Sequence, residues 1–111
     1  MFIRLTNFRI RPGHWEQNEW GFKKASIAGR FDPGLRQRWL VRSAEDPDLG
    51  YLLSVWDSKE AIDAYVRAHL PEDGSLPYME KSIEGEYSVT HGEVRFLYDS
   101  PTGEMLSEPR W

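Results

Sequence analysis

An α+β fold, with two helices laid on one face of a single antiparallel sheet, follows from three observations in this 111-residue chain. Several segments alternate apolar and polar residues, or run apolar for a short stretch, between turn residues. Two further segments carry apolar residues at helical spacing. Their order along the chain is β-α-β-β-α-β, the ferredoxin-like arrangement of two interlocked units sharing one sheet. Residues 1–99 contain these elements. Residues 100–111 read as a turn and tail, and the terminal Trp111 suggests docking, on a dimer partner if there is one.

The first strand is FIRLTNFRIR (2–11), with Phe2, Phe8 and Ile10 on one face and Ile3, Leu5 and Asn7 on the other. Apolar residues on both faces point to a strand covered on both sides. Pro12-Gly13 ends it. Trp15, Phe22 and Ala25 then set a helix over 14–28, weakened by Gly21. The segment FDPG is a turn, because Pro fixes φ and Gly reaches conformations closed to other residues. In LRQRWLVRS (35–43), Leu35, Trp39 and Val41 alternate with Arg36, Arg38 and Arg42, which predicts a half-buried strand with its arginines outward. AEDPDLG turns the chain into a short apolar strand, YLLSVW (51–56), giving a hairpin.

Asp57 or Ser58 caps the second helix, and Glu60 favours its positive end. Ile62, Tyr65, Val66 and His69 follow the i, i+3, i+4, i+7 pattern, and Pro71 is the expected stop. PEDGSLPY is a loop, LPYMEKSI holds one helical turn, and EYSVTHGEVRFLY (86–98) is one long strand bulged at Gly92. This sheet leaves one face bare. Trp39 or the arginines of the second strand, with aromatics of the last strand, would cover that face and call for a second copy.

Composition excludes several functions. There is no cysteine, hence no disulfide, thiolate nucleophile or zinc–thiolate site. A net charge of −4 with scattered Lys and Arg argues against nucleic acid. No apolar run reaches the ~20 residues of a membrane span, and MFIRLTNF lacks a signal-peptide core, so a cytoplasmic protein is expected. No metal site is expected: His14 and Asn18 are four apart but make no ligand set, and His91 has no second ligand at a fitting spacing. Five Trp, five Tyr and five Phe are abundant for this length, enough to build a core or to wall a cavity for a flat ligand.

The series PGLRQRWLVRS, EDPDLGYLLSVW and DSKEAIDAYV resembles the antibiotic-biosynthesis-monooxygenase-like family of dimeric α+β barrels. Members of that family show Pro-Gly before the second strand, a Trp closing the third, and a Ser-x-Glu-Ala helix start. The likeness spans residues 2–98 by element order, with its specific residues between Pro33 and Tyr65. It implies a homodimer whose two sheets form a barrel, with a cavity in each subunit between sheet and helices. The family mixes haem-degrading oxygenases, cofactor-free quinol or polyketide oxygenases, and members with no known reaction.

In the haem-degrading branch the resemblance maps a strand Asn onto Asn7 and a helix Trp onto Tyr65. Its iron-ligating His falls near Ser75, leaving His69 as the nearest histidine. Haem is therefore admitted but not favoured. The cofactor-free branch needs an aromatic-lined cavity, a donor for a developing oxyanion and a base. Asn7, Tyr65 and His69 are the candidate catalytic residues, and Trp56, Trp39 and Arg38 the candidate ligand-binding ones. Tyr65 and His69, four apart, share a helix face. Each has a plainer reading: His69 as a core or interface histidine, Asn7 as a bulge or interface residue, and Trp56 as packing where strand meets helix. The expected function is cofactor-independent oxygenation of an aromatic or quinone-like small molecule. A non-catalytic module for a small hydrophobic ligand, and a haem-degrading monooxygenase, stay open as alternatives.

Overall fold

β1 (Phe2–Arg9), α1 (Trp15–Ala28), β2 (Leu35–Arg42), β3 (Leu49–Trp56), α2 (Lys59–His69) and β4 (Ser88–Glu93) follow in the expected order. They come from a computed structural model that describes residues 1–70 and 82–107. Pro71, the PEDGSLPY loop, most of LPYMEKSI and Trp111 lie outside the described residues. The strands form an open antiparallel sheet in the order β2-β3-β1-β4. Within one chain the sheet does not close into a barrel.

Pleating decides which residues the helices cover. On β1 the even positions face the helices: Thr6 and Phe8 are buried, and Phe8 joins Ile10, Phe22 and Leu52 in the core. Gly50 opposite Phe8 makes this close approach possible. A Cβ at Gly50 would lie 2.6 Å from Phe8 Cε2 and 3.0 Å from Trp15 Cζ3. Ile3, Leu5 and Asn7 accordingly point to the other face of the sheet.

β2 is inverted relative to the alternation expected from its sequence. A bulge between Leu35 and Gln37 shifts the register, so Arg38 and Arg42 turn toward the helices with Leu40 between them. Trp39 (50% exposed) and Val41 face outward. The arginines are tolerated there because their aliphatic stems and guanidinium planes cover aromatic rings. Arg38 lies over Phe22 at 4.9 Å and Arg42 over Trp15 at 4.9 Å.

The turn and cap chemistry matches the sequence signals. In Asp32-Pro33-Gly34-Leu35, Leu35 N–H donates to Asp32 O at 3.2 Å and Gly34 takes φ +82°. Gly34 also seats β2 against α2, since a Cβ there would lie 2.7 Å from Ala61 Cβ. Ser58, in extended conformation, caps α2 by accepting from Ala61 N–H at 3.1 Å. Ile62 is fully buried beneath that helix.

The C-terminal portion departs from expectation. The 86–98 segment is not one bulged strand: Gly92 pairs in register with Ile3, and the strand stops at Glu93. Val94 N–H donates to Met1 O at 2.9 Å, at the end of β1. The chain then forms a separate hairpin of β5 (Phe96–Asp99) and β6 (Glu104–Ser107), so residues 104–107 are strand rather than tail. Asp99 nucleates its turn by accepting from Thr102 N–H at 3.2 Å, and Gly103 takes φ +72°. Phe96, Leu97, Tyr98 and Met105 on this hairpin are exposed.

A candidate active site between the helices

Trp56 closes β3 with its side chain turned under α2, only 1% exposed, and its indole N–H donates to Ser54 Oγ at 2.8 Å. Three tilted rings then follow in series, the last two brought together by their i, i+4 spacing on α2. Trp56 and Tyr65 have centroids 5.1 Å apart, and Tyr65 and His69 5.3 Å apart. The series ends on Asp32, whose Oδ1 lies 2.8 Å from His69 Nε2. A carboxylate only accepts, so neutral His69 carries its proton on Nε2 and leaves Nδ1 with a free lone pair.

Asp32 reaches His69 because α1 ends at Gly29. A Cβ at Gly29 would stand 2.7 Å from Asp32 Oδ2, and Asp32 N–H is anchored on Gly29 O at 3.0 Å. The Asp32 side chain is 17% exposed while His69 remains open to the pocket mouth. Arg38 completes the wall, its guanidinium 6.0 Å from the Tyr65 ring centroid. These four residues, with Ala25 and Leu70, line a cavity of about 250 Å³ between the end of α1 and α2.

Below it, Arg38 and Tyr65 also wall a narrow crevice of about 10 Å³, with Arg4, Thr6 and Ser54 on its floor. Arg4 Nε is buried there and has no hydrogen-bond partner among the described residues. Two guanidiniums thus meet at this crevice, those of Arg4 and Arg38, and neither forms an ion pair among the described residues.

The residues singled out from the sequence divide into two groups. Tyr65, His69 and Arg38 meet at the cavity, and Trp56 backs Tyr65 as a buried anchor. Asn7 and Trp39 do not join them. Asn7 sits on the opposite face of the sheet, its Nδ2 3.5 Å from Ser88 Oγ, and Trp39 is exposed on that same face. Asp32 was missed because FDPG signals a turn so strongly, and the contact with His69 spans 37 residues. Asn18 is the other omission. It is fully buried on α1, and its Oδ1 accepts from Ser82 Oγ at 3.3 Å, tying the helix to the chain leading into β4. No cluster of three or more His, Cys, Asp or Glu residues suits a metal among the described residues, and no described helix is long and apolar enough to cross a membrane.

Comparison with known proteins agrees with the fold. The profile of the antibiotic biosynthesis monooxygenase family matches residues 1–72. The chain belongs to this family. No curated protein sequence matches it significantly. Solved structures of the same shape include an antibiotic biosynthesis monooxygenase with TM-score 0.67 and 14% identity, over 85% of this chain and 98% of that one. A conserved protein from Methanosarcina mazei Go1 gives TM-score 0.70 and 14% identity, over 83% and 91% of the two chains. A mutant of MhuD with two manganese protoporphyrin IX bound per active site gives TM-score 0.64 and 19% identity, over 85% and 94%. At these identities the likeness is one of fold. For this antibiotic biosynthesis monooxygenase family member, the family match places the helix–sheet cavity within the matched segment, since Arg38, Tyr65 and His69 all precede residue 72.

Proposed function

We propose that the protein is a cofactor-independent monooxygenase acting on an aromatic or quinone-like small molecule in the cavity walled by Asp32, Arg38, Tyr65 and His69. The observation that carries this reading is the contiguous Trp56–Tyr65–His69–Asp32 series with Arg38 beside it. It joins a flat aromatic wall, an oriented base and a fixed positive charge.

The chemistry is balanced with O₂ as the oxidant. His69 Nδ1 takes a proton from an activated CH₂ group, and Arg38 stabilises the resulting enolate oxygen. The carbanion gives an electron to O₂, and the radical pair recombines to form the C–O bond of a peroxide. Returning the proton from His69 gives a hydroperoxide, which loses water to leave a ketone. The net change is R₂CH₂ + O₂ → R₂C=O + H₂O. Tyr65 forms the flat wall, and Trp56 holds it in place.

Haem has no part in this reading. Asn7 lies on the opposite face of the sheet from His69, and the position to which the resemblance assigns the iron-ligating His, near Ser75, holds no histidine. A homodimer belongs to the same reading, with a second copy covering the sheet face that bears Trp39 and Val41. Such a contact buries well above ~1,000 Å², and a stable monomer by light scattering at micromolar concentration argues against it.

The test is O₂ uptake with a panel of anthrones and hydroquinones. Uptake by the wild type that falls in Tyr65→Ala and His69→Ala supports the reading. Aromatic ligands that raise the melting temperature with no uptake on any substrate would make the protein a binding module instead.

A further inference from the structure

We propose that the groove between α1 and β2 is a separate binding site for a hydrophobic carboxylate, whose apolar body lies on Trp20 and Ile27 and whose anion faces Lys23, Arg30 and Arg36. The groove is larger than the His69 cavity, about 550 Å³. Its apolar side is unusual for a helix surface: Trp20 is 62% exposed and Ile27 63%, on the outer face of α1. Isolated exposed apolar residues are common, but these two line one concavity with Phe22 and Leu35.

Charge selects the occupant. Four cationic side chains, Lys23, Arg30, Arg36 and Arg38, line the groove, and no Asp or Glu does. The chain as a whole is acidic, with net charge −4, so this cluster is not a reflection of composition. The neutralising partners sit outside the groove. Lys23 reaches Glu19 at 3.3 Å along the helix, and Arg36 pairs with Asp57 beyond the end of β3. Both pairs are exposed, where such contacts are weak and readily exchanged for an incoming anion. Arg30 contacts no carboxylate among the described residues. Its Nη1 donates to Ile27 O at 2.7 Å, and its guanidinium lies over Phe31 at 4.7 Å.

A neutral aromatic molecule would leave these cations unused, and a polyanion would find too narrow a basic surface on an acidic protein. A compact apolar molecule with one carboxylate uses both halves of the groove, the guanidinium fork matching the anion's two oxygens. Arg38 borders both this groove and the His69 cavity, so the two sites are neighbours, but the groove site does not depend on the oxygenase reading.

Titration calorimetry with 2-naphthoate and its neutral isostere 2-naphthamide tests this on the full chain. Naphthoate is expected to bind one site per chain about tenfold more tightly than the amide. A Lys23→Gln/Arg30→Gln double variant should remove that preference and leave the amide unchanged. Both positions are exposed, so its melting curve should match the wild type. Trp20→Ala should weaken both ligands. His69→Ala should leave naphthoate binding intact even where it abolishes O₂ uptake, which separates failure of the groove from failure of the cavity. Equal affinity for acid and amide, or a double variant that binds naphthoate normally, would overturn the proposal. So would absence of binding together with a lower oligomeric mass in the double variant, which would make the groove a contact between copies.

Discussion

Replacing Trp56 with Leu separates the anchor from the reaction site. The indole N–H bond to Ser54 at 2.8 Å disappears, which costs about 1 kcal/mol. The ring pair with Tyr65 at 5.1 Å is lost as well, at about another 1 kcal/mol. The smaller side chain leaves part of a fully packed site empty, adding on the order of 2 kcal/mol when scaled from Trp-to-Ala losses of 3–5 kcal/mol. The sum, about 4 kcal/mol, is a large share of the ~5–15 kcal/mol that holds a domain of this size together. Urea denaturation followed by circular dichroism measures it through the shift in midpoint at constant slope. The melting temperature should fall by roughly 16 °C, at about 4 °C per kcal/mol for a chain of this length. A loss below about 1 kcal/mol would refute the anchoring role and return Trp56 to the list of ligand-facing residues.

Other consequences follow from single contacts. Ser58→Ala removes the cap of α2 and should cost about 1 kcal/mol in denaturant unfolding, while Ser58→Asp should hold wild-type stability. Gly34→Ala combines a left-handed φ of +82° with a Cβ 2.7 Å from Ala61 Cβ. A loss of about 2–4 kcal/mol is expected from strain and overlap together. His91 is held below the usual imidazole range of 6.5 by partial burial and then by the Arg4 charge, with Lys59 acting the same way and Asp63 opposing. The unfolded chain therefore takes up a proton there before the folded one does. Stability is full above pH 6.5 and declines as the pH falls through the lowered value. Melting curves from pH 7.5 to 5 should show that decline, and His91→Gln should flatten it.

The element order was legible because each signal was local. The Asp-Pro-Gly turn, the Ser58 cap and the i, i+4 pairing of Tyr65 with His69 need only a few residues of context. β2 misled because its bulge at Arg36 changes the side-chain parity, and a one-residue slip sends every following residue to the other face. Its apolar alternation also hid the fact that Arg38 and Arg42 can be covered by lying on Phe22 and Trp15. The β5–β6 hairpin was lost because the apolar run through Phe96 continues the β4 pattern, and only the Asp99–Gly103 turn breaks it. Asn7 was the opposite case. Phe8 at the core already placed its neighbour on the far face, so the family likeness at Asn7 ran against the pleat. Asp32 left no such trace, since its partnership with His69 exists only once α2 folds back over the end of α1.

The most direct test of the helix-side site compares two single variants on one oxidisable anthrone. O₂ consumption is followed with an oxygen electrode for wild type, His69→Ala and Asn7→Ala at matched protein concentration. Removing a general base costs about 10²–10⁴-fold, so His69→Ala should lose at least 100-fold in kcat/KM while Asn7→Ala stays within twofold of wild type. Loss of activity in Asn7→Ala with His69→Ala unimpaired would contradict the assignment and move the chemistry to the opposite face of the sheet.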